Sequence, residues 1–174
     1  MNISELETKH LILKEFKKED LNRLAEITSD YEVVKYFPGK KPWPKERTMR
    51  ELQGIIGHWK QFGYGRWAIE FKENHNLIGW CGLEYLKELS ETEIGFLLDK
   101  QYWNRGLATE AAKETVRYAF QEVKLEKLIA LAFPENAASK RVMEKIGMIY
   151  DETIFLWNHN LVKYFITRSH WENM

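Results

Sequence analysis

The chain has 174 residues, 44% of them hydrophobic and 14% aromatic, enough to build one domain around its own core and too apolar for a disordered chain. Its 26 basic and 26 acidic residues cancel, so the positive excess of a polyanion binder is missing and no direct nucleic-acid partner is expected. One cysteine, Cys81, excludes an internal disulfide, and no run approaches the ~20 apolar residues of a membrane helix, so a reduced, cytoplasmic setting without a membrane is expected.

The start, Met1-Asn2-Ile3-Ser4-Glu5, runs into charges with no apolar signal core. His10 to Phe16 alternates and predicts a first strand, and Lys18 to Ser29 carries Leu21, Leu24, Ala25 and Ile27 at helical spacing. Val33 to Phe37 reads as a short helical piece. The segment Pro38 to Pro44 breaks the chain, and Pro44 opens a helix that runs to about Phe62 and buries Met49, Leu52, Ile55, Ile56 and Trp59. Arg66 to Lys72, Leu77 to Tyr85 and Thr92 to Asp99 predict three strands of an antiparallel meander, with Asn74-His75-Asn76 as a turn.

Gly106 to Gln121 predicts a helix with Ala108, Ala112, Thr115, Val116 and Ala119 on one stripe. Leu128 to Phe133 is continuously apolar, as suits a strand buried on both faces in parallel pairing. Asn136 caps a helix from Ala137 to Ile146, which Gly147 stops. Two strands, about Ile149 to Trp157 and Leu161 to Trp171, turn at Asn158-His159-Asn160. The expected fold is therefore α/β (α+β): a single domain over 1–174, core about 8–171, with a mixed central sheet of six to seven strands, one parallel β-α-β crossover and about four helices. Ligands gather at the carboxyl ends of parallel strands, which here means Gln101 to Thr109.

Gly106 stands between a strand end and a helix start. The backbone N–H groups that follow have no helical partner, and with the helix dipole they form an anion site; Gly106 and Ala108 let a phosphate come close, and Arg105 adds charge. Neither a P-loop nor a Gly-x-Gly-x-x-Gly fingerprint occurs. A helix-entry glycine alone would explain Gly106 equally well.

Three segments make the comparison specific: Glu93 to Leu98, Tyr102 to Ala111 (Tyr-Trp-Asn-Arg-Gly-Leu-Ala-Thr-Glu-Ala), and Asn136 to Met148. In this order and spacing the chain resembles the GNAT superfamily of N-acetyltransferases, in particular the branch with the ribosomal-protein alanine and serine N-acetyltransferases. The resemblance covers nearly the whole chain. It implies acetyl-CoA as co-substrate, a pyrophosphate held at Asn104, Arg105, Gly106, Leu107, Ala108 and Thr109, and a pantetheine arm bonded by the backbone of Phe96, Leu97 and Leu98. Trp103 departs from the Gln or Arg that usually opens the pyrophosphate motif. Asn136, Ser139 and Lys140 are the further expected cofactor contacts.

An amine at neutral pH is protonated and needs a base before it can attack a thioester. Glu93 shares a strand face with Gly95 and Leu97, and a glutamate buried in so apolar a strand would have a raised pKa. By resemblance Glu93 occupies a position where some GNAT enzymes carry the base; a solvated or salt-bridged Glu93 is the plain alternative, and Glu84 and Glu91 are lesser candidates. The tyrosine many members use as general acid falls on Met143, which cannot donate, and Ser139 is the remaining candidate near the sulfur. Tyr36, Phe37, Trp43, Trp67, Trp80 and Trp157 could frame an acceptor slot or simply fill the core. The five histidines show no paired metal spacing and no metal is expected.

The expected activity is acetyl transfer from acetyl-CoA to a primary amine, either a peptide N-terminus or a small molecule, by direct attack in a ternary complex. Two alternatives stay open: a coenzyme A-binding sensor without turnover, favoured by Met143, and an aminoglycoside- or polyamine-type acetyltransferase, favoured if Glu84, Glu88, Glu91 and Glu93 gather at the acceptor. The protein could be a monomer or a homodimer.

Overall fold

A computed structural model of the chain describes residues 5–174, so the reading of Met1 to Ser4 lies outside the described residues. Eight strands form one mixed sheet. In chain order the elements are β1 (Glu5–Glu7), β2 (Leu11–Glu15), α1 (Leu21–Thr28), α2 (Tyr31–Val34), α3 (Lys45–Phe62), β3 (Arg66–Phe71), β4 (Asn76–Leu86), β5 (Glu91–Leu98), α4 (Leu107–Gln121), β6 (Lys127–Ala132), α5 (Ala137–Lys145), β7 (Ile149–Leu156), β8 (His159–Thr167) and α6 (Arg168–Glu172). The sheet order is β1-β2-β3-β4-β5-β6-β8-β7, antiparallel throughout except where β5 meets β6.

The fold class stands as expected, with four differences. The sheet has eight strands, because the three-residue β1 pairs with β2 although its only apolar residue is Leu6. Among the described residues there are six α-helices, because α2 and α6 are single turns of four and five residues. The last strand stops at Thr167, whose side chain accepts from the His170 N–H and so caps α6 where strand was expected. The hairpin between β7 and β8 turns at Trp157 and Asn158, both at positive φ, one step earlier than the Asn-His-Asn triplet suggested.

Local chemistry accounts for the element ends that shape the site. Pro44, extended at φ −64° and ψ 152°, caps α3, and Gly63 ends it in the left-handed conformation at φ 72°. Leu52, Ile55 and Trp59 of α3 are buried, but Met49 is 40% exposed and Ile56 only half-buried. In α4, Ala112, Thr115, Val116 and Ala119 are buried as expected, whereas Ala108, in the first turn of the helix, stays partly open. The backbones of β4 and β5 approach closely at Gly79, which has φ 150° and no room for a Cβ beside the Leu97 carbonyl.

The two sheet faces differ in kind. On one, Cys81 of β4 meets Thr115 of α4 at 3.4 Å and Trp67 of β3 packs edge-on to Tyr118, so this face is closed by α4. The other carries Arg66, Trp80, Glu84 and Glu93, which line a cleft together with residues of α3. Among the described residues no helix is long and apolar enough to cross a membrane.

Candidate active site

β5 and β6 run parallel but register at a single pair, Glu93 with Ile129. The edge of β5 from Ile94 to Leu98 has no partner strand on that side, and the two strands form the arms of a V. A cleft of about 1030 Å³ opens there, with Glu93 to Phe96 on one arm and Leu131 to Phe133 on the other. Asn136, Ser139 and Met143 of the α5 segment also line it. The expected pantetheine contacts divide: Phe96 is among the residues lining the cleft, while the side chains of Leu97 and Leu98 are core.

Glu93 sits at the closed end of the V. Its partner across the β4–β5 pair is Glu84, so two carboxylates stand directly opposite on one face. The Arg66 guanidinium bonds Glu84, reaches toward Glu51 at 3.9 Å, and lies 4.3 Å over the Trp80 ring. No described residue makes an ion pair with Glu93, whose carboxyl is crowded by protein except where it opens on the cleft. Burial, opposed by Arg66 and by the Leu131 N–H and reinforced by Glu84, pushes its pKa from 4.5 up to about 7. Glu91, the lesser candidate, turns away to Lys127 at 2.5 Å and Lys163 at 2.9 Å and is held below its usual range despite partial burial.

His58 is the other titratable group of interest in the cleft. Its Nδ1 lies 2.8 Å from the Tyr64 carbonyl and its Nε2 accepts the Tyr85 N–H at 3.0 Å, which fixes one neutral tautomer; burial lowers its pKa further. Both nitrogens are committed, and His58 is a structural group. Met143, 1% exposed, forms part of the cleft wall and presents a thioether in place of a hydroxyl donor. Ser139 lines the cleft; its N–H is taken by the Asn136 side chain at 3.2 Å, while its hydroxyl bonds no described residue.

The loop before α4, the expected pyrophosphate site, lies beyond the open end of the V. Asn104 at φ 59° and Gly106 at φ 76° turn the chain so that the first N–H groups of α4, from Leu107, Ala108 and Thr109, start the helix without intrahelical acceptors. A Cβ on Gly106 would meet nothing within 4 Å, so the ground in front of this helix end is open. Leu107 is buried, leaving only its backbone for a ligand. Arg105 lies 4.7 Å from the Phe71 ring and 5.5 Å from the Tyr102 ring, beside the loop. Lys140 donates to the Pro134 carbonyl at 2.6 Å and so braces the turn before Asn136.

The structure also gives Trp103 a role that the sequence did not reveal. Its indole N–H donates to the Leu98 carbonyl at 2.9 Å, tying the loop before α4 to the end of β5. Glu110, in the first turn of α4, accepts from Thr8, from the His10 N–H at 2.7 Å, and meets the His10 ring at 2.7 Å, so the β1–β2 turn holds the helix start from outside. Of the tryptophans proposed for an acceptor slot, Trp43, Trp80 and Trp157 line the cleft with Tyr36 and Phe37, whereas Trp67 is fully buried on the α4 side. Phe37 stacks edge-on between Trp43 at 5.6 Å and Trp80 at 6.1 Å. Among the described residues no group of three metal-ligating side chains occurs.

Comparison with known proteins places this geometry in a family. The acetyltransferase (GNAT) domain family matches residues 10–149. The uncharacterised N-acetyltransferase YnaD of Bacillus subtilis is 34% identical over 143 residues, 81% of this chain and 80% of its own. The crystal structure of a GNAT-family acetyltransferase from Bacillus anthracis superposes with a TM-score of 0.82 at 29% identity, covering 95% of this chain and 99% of that one. The ribosomal-protein-S5-alanine acetyltransferase of Vibrio fischeri shares the fold, with a TM-score of 0.78 at 17% identity over 96% and 98% of the two chains. With an unpaired strand edge, an open helix start and a free carboxyl in the right order, and with a family match over most of its length, the chain belongs to the GNAT family of acetyl-transferring enzymes.

Proposed function

We propose that the protein transfers the acetyl group of acetyl-CoA to a primary amine, with Glu93 as general base. The observation that carries this reading is the Glu93 carboxyl: unpaired, open to the cleft at the closed end of the V, and held near pH 7. A base with that pKa can take a proton at neutral pH and still be half ionised.

The loop fits the donor's pyrophosphate. The N–H groups of Leu107, Ala108 and Thr109 receive it at the positive end of α4, Gly106 leaves room, and Asn104 and Arg105 flank it. The free edge of β5 at Phe96, Leu97 and Leu98 bonds the pantetheine amides as a partner strand would, although the Leu98 carbonyl already accepts from Trp103. Asn136 and Ser139 face the arm from the other side, with Lys140 behind them. Glu93 then removes one proton from the acceptor ammonium, directly or through a water; the amine nitrogen bonds the acetyl carbon, the carbon–sulfur bond breaks, the thiolate leaves, and the second proton shed by the nitrogen passes to solvent or to the thiolate. Ser139 offers that sulfur a hydroxyl; a thiolate also leaves unaided and takes its proton from solvent.

The acceptor enters from the side of α3 and the β7–β8 turn, past Tyr36, Phe37, Trp43 and Trp157. Four cations (Arg47, Arg50, Arg66 and Lys87) balance the four glutamates of this wall, Glu51, Glu84, Glu88 and Glu93. Glu91 is turned away but Glu84, Glu88 and Glu93 do line the cleft; because the cations offset them, an acceptor with one amine and a largely uncharged body fits better than an aminoglycoside or polyamine. A peptide N-terminus or a small monoamine meets that description.

A second reading, a coenzyme A sensor without turnover, is favoured by the buried Met143 thioether in place of a donor. Free thiol is followed while the protein and acetyl-CoA meet a panel of N-terminal peptides and small amines. Release above background with at least one acceptor, lost in Glu93→Gln, supports the transferase. Tight acetyl-CoA binding with no release across the panel would establish the sensor.

A further inference from the structure

Glu84 and Glu93 face each other across β4 and β5, an arrangement that is unfavourable when both are charged. Arg66, on the neighbouring strand β3 opposite Gly82, is the cation available to either of them. It is held to one side. One terminal nitrogen bonds Glu84, the other points to Glu51 at 3.9 Å, and the guanidinium plane rests 4.3 Å over Trp80. Its Nε is buried and bonds no described residue. A planar guanidinium clamped at its tip and across its face cannot turn to a second carboxylate without leaving both contacts.

We propose that Glu84 is a positioning residue: by holding Arg66 against Trp80 it keeps the Glu93 carboxyl without a cation of its own, and so available as a base. This rests on the reading of Glu93 given above.

The remaining charged groups around Glu93 leave this arrangement in control. From α3, Glu51 faces Arg66 and His58 is fixed neutral by its two backbone bonds; Arg47 donates to the Pro38 carbonyl at 2.9 Å and stacks on Trp43. From β6 the nearest polar group is the Leu131 N–H, and α5 presents the uncharged Ser139 and Met143. On β8, His159 packs against Phe133, and Lys163 is taken by Glu91. Arg50, Lys87 and Glu88 also line the cleft; none of them makes an ion pair with Glu84 or Glu93 among the described residues, and Glu88 accepts from the Trp157 indole at 3.3 Å.

Glu84→Gln removes the repulsion and frees Arg66 to approach Glu93, so the acid limb of kcat/KM moves down by about one pH unit or more, as an opposite charge nearby shifts a carboxyl. Arg66→Met leaves Glu84 unpaired beside Glu93 and moves the limb up. KM for acetyl-CoA stays unchanged in both, because neither residue touches the phosphate loop. A purely structural role would lower activity without moving the limb in opposite directions.

The Glu93 carboxyl is titrated by carbon-13 NMR in the resting protein alongside the pH profiles. The expected result is a Glu93 titration that falls in Glu84→Gln and rises in Arg66→Met. A Glu84→Gln protein whose Glu93 titrates as in the wild type, or two variants that shift the same way, overturns the proposal. Should Arg66→Met fail to fold, the isosteric Glu84→Gln decides the matter alone. The two readings fail separately: full turnover in Glu93→Gln removes Glu93 as the base, while the NMR titration still decides whether Glu84 controls its charge.

Discussion

Removing the Glu93 charge should make the protein more stable and less active, and the two effects should separate with pH. In the unfolded chain this carboxyl titrates near 4.5, and in the folded protein near 7. Between those values the native state keeps a proton that the unfolded state has lost. Stability therefore falls as pH rises through this window and levels off above the folded pKa. At ~1.36 kcal/mol per unit, the step from 4.5 to about 7 is worth about 3 kcal/mol once the group is fully ionised, an upper figure because the carboxyl opens on cleft water. Glutamine has nearly the same shape and no charge at any pH. At pH 5, just inside this window, Glu93→Gln should therefore melt only slightly above the wild type, by about 1 kcal/mol or less. At pH 8.5 the variant should melt higher by up to about 10 °C, taking roughly 2–4 °C per kcal/mol for a chain of this size. Thermal melts of both proteins at the two pH values check this, since every other titrating group is common to both. Melting curves that keep the same separation at pH 5 and pH 8.5 would refute the raised pKa, and with it the physical basis for Glu93 as a base poised at neutral pH.

Two further outcomes test other parts of the site. Gly106→Glu should abolish acetyl-CoA binding while the chain still folds: nothing in the protein obstructs a side chain there, but φ of 76° strains it by ~1–2 kcal/mol and its carboxylate occupies the anion's ground. Unchanged affinity by calorimetry in the folded variant would remove the phosphate-loop assignment. Gly54 lies inside α3 on the cleft wall, and a methyl group added there would meet nothing within 4 Å, so Gly54→Ala should stabilise the protein by about 1 kcal/mol, read as a melting point about 2–4 °C higher. An unchanged or lower melting point would show that the helix needs the bare backbone there.

Local signals in the sequence were enough for much of this protein. Pro44 and Gly63 bracket α3, Asn136 caps α5, and the continuous apolar run of β6 marks a strand buried on both faces, because caps and periodicity act within one or two turns of chain. The same short range made the Gly106 helix start legible and put Glu93 on the same strand face as Gly95. Short elements escaped for the complementary reason: β1 and α6 have too few residues to show a period and exist because β2 and Thr167 support them. What the tertiary structure alone decided is the electrostatic state of Glu93. That state depends on Glu84 standing opposite it, on Arg66 arriving from a third strand, and on β6 parting from β5 after one pair. Register between strands sets each of these, and a shift of one residue would send Glu93 to the other face. The sequence supplies a glutamate on an apolar strand; only the packing of three strands around it holds its proton near neutral pH.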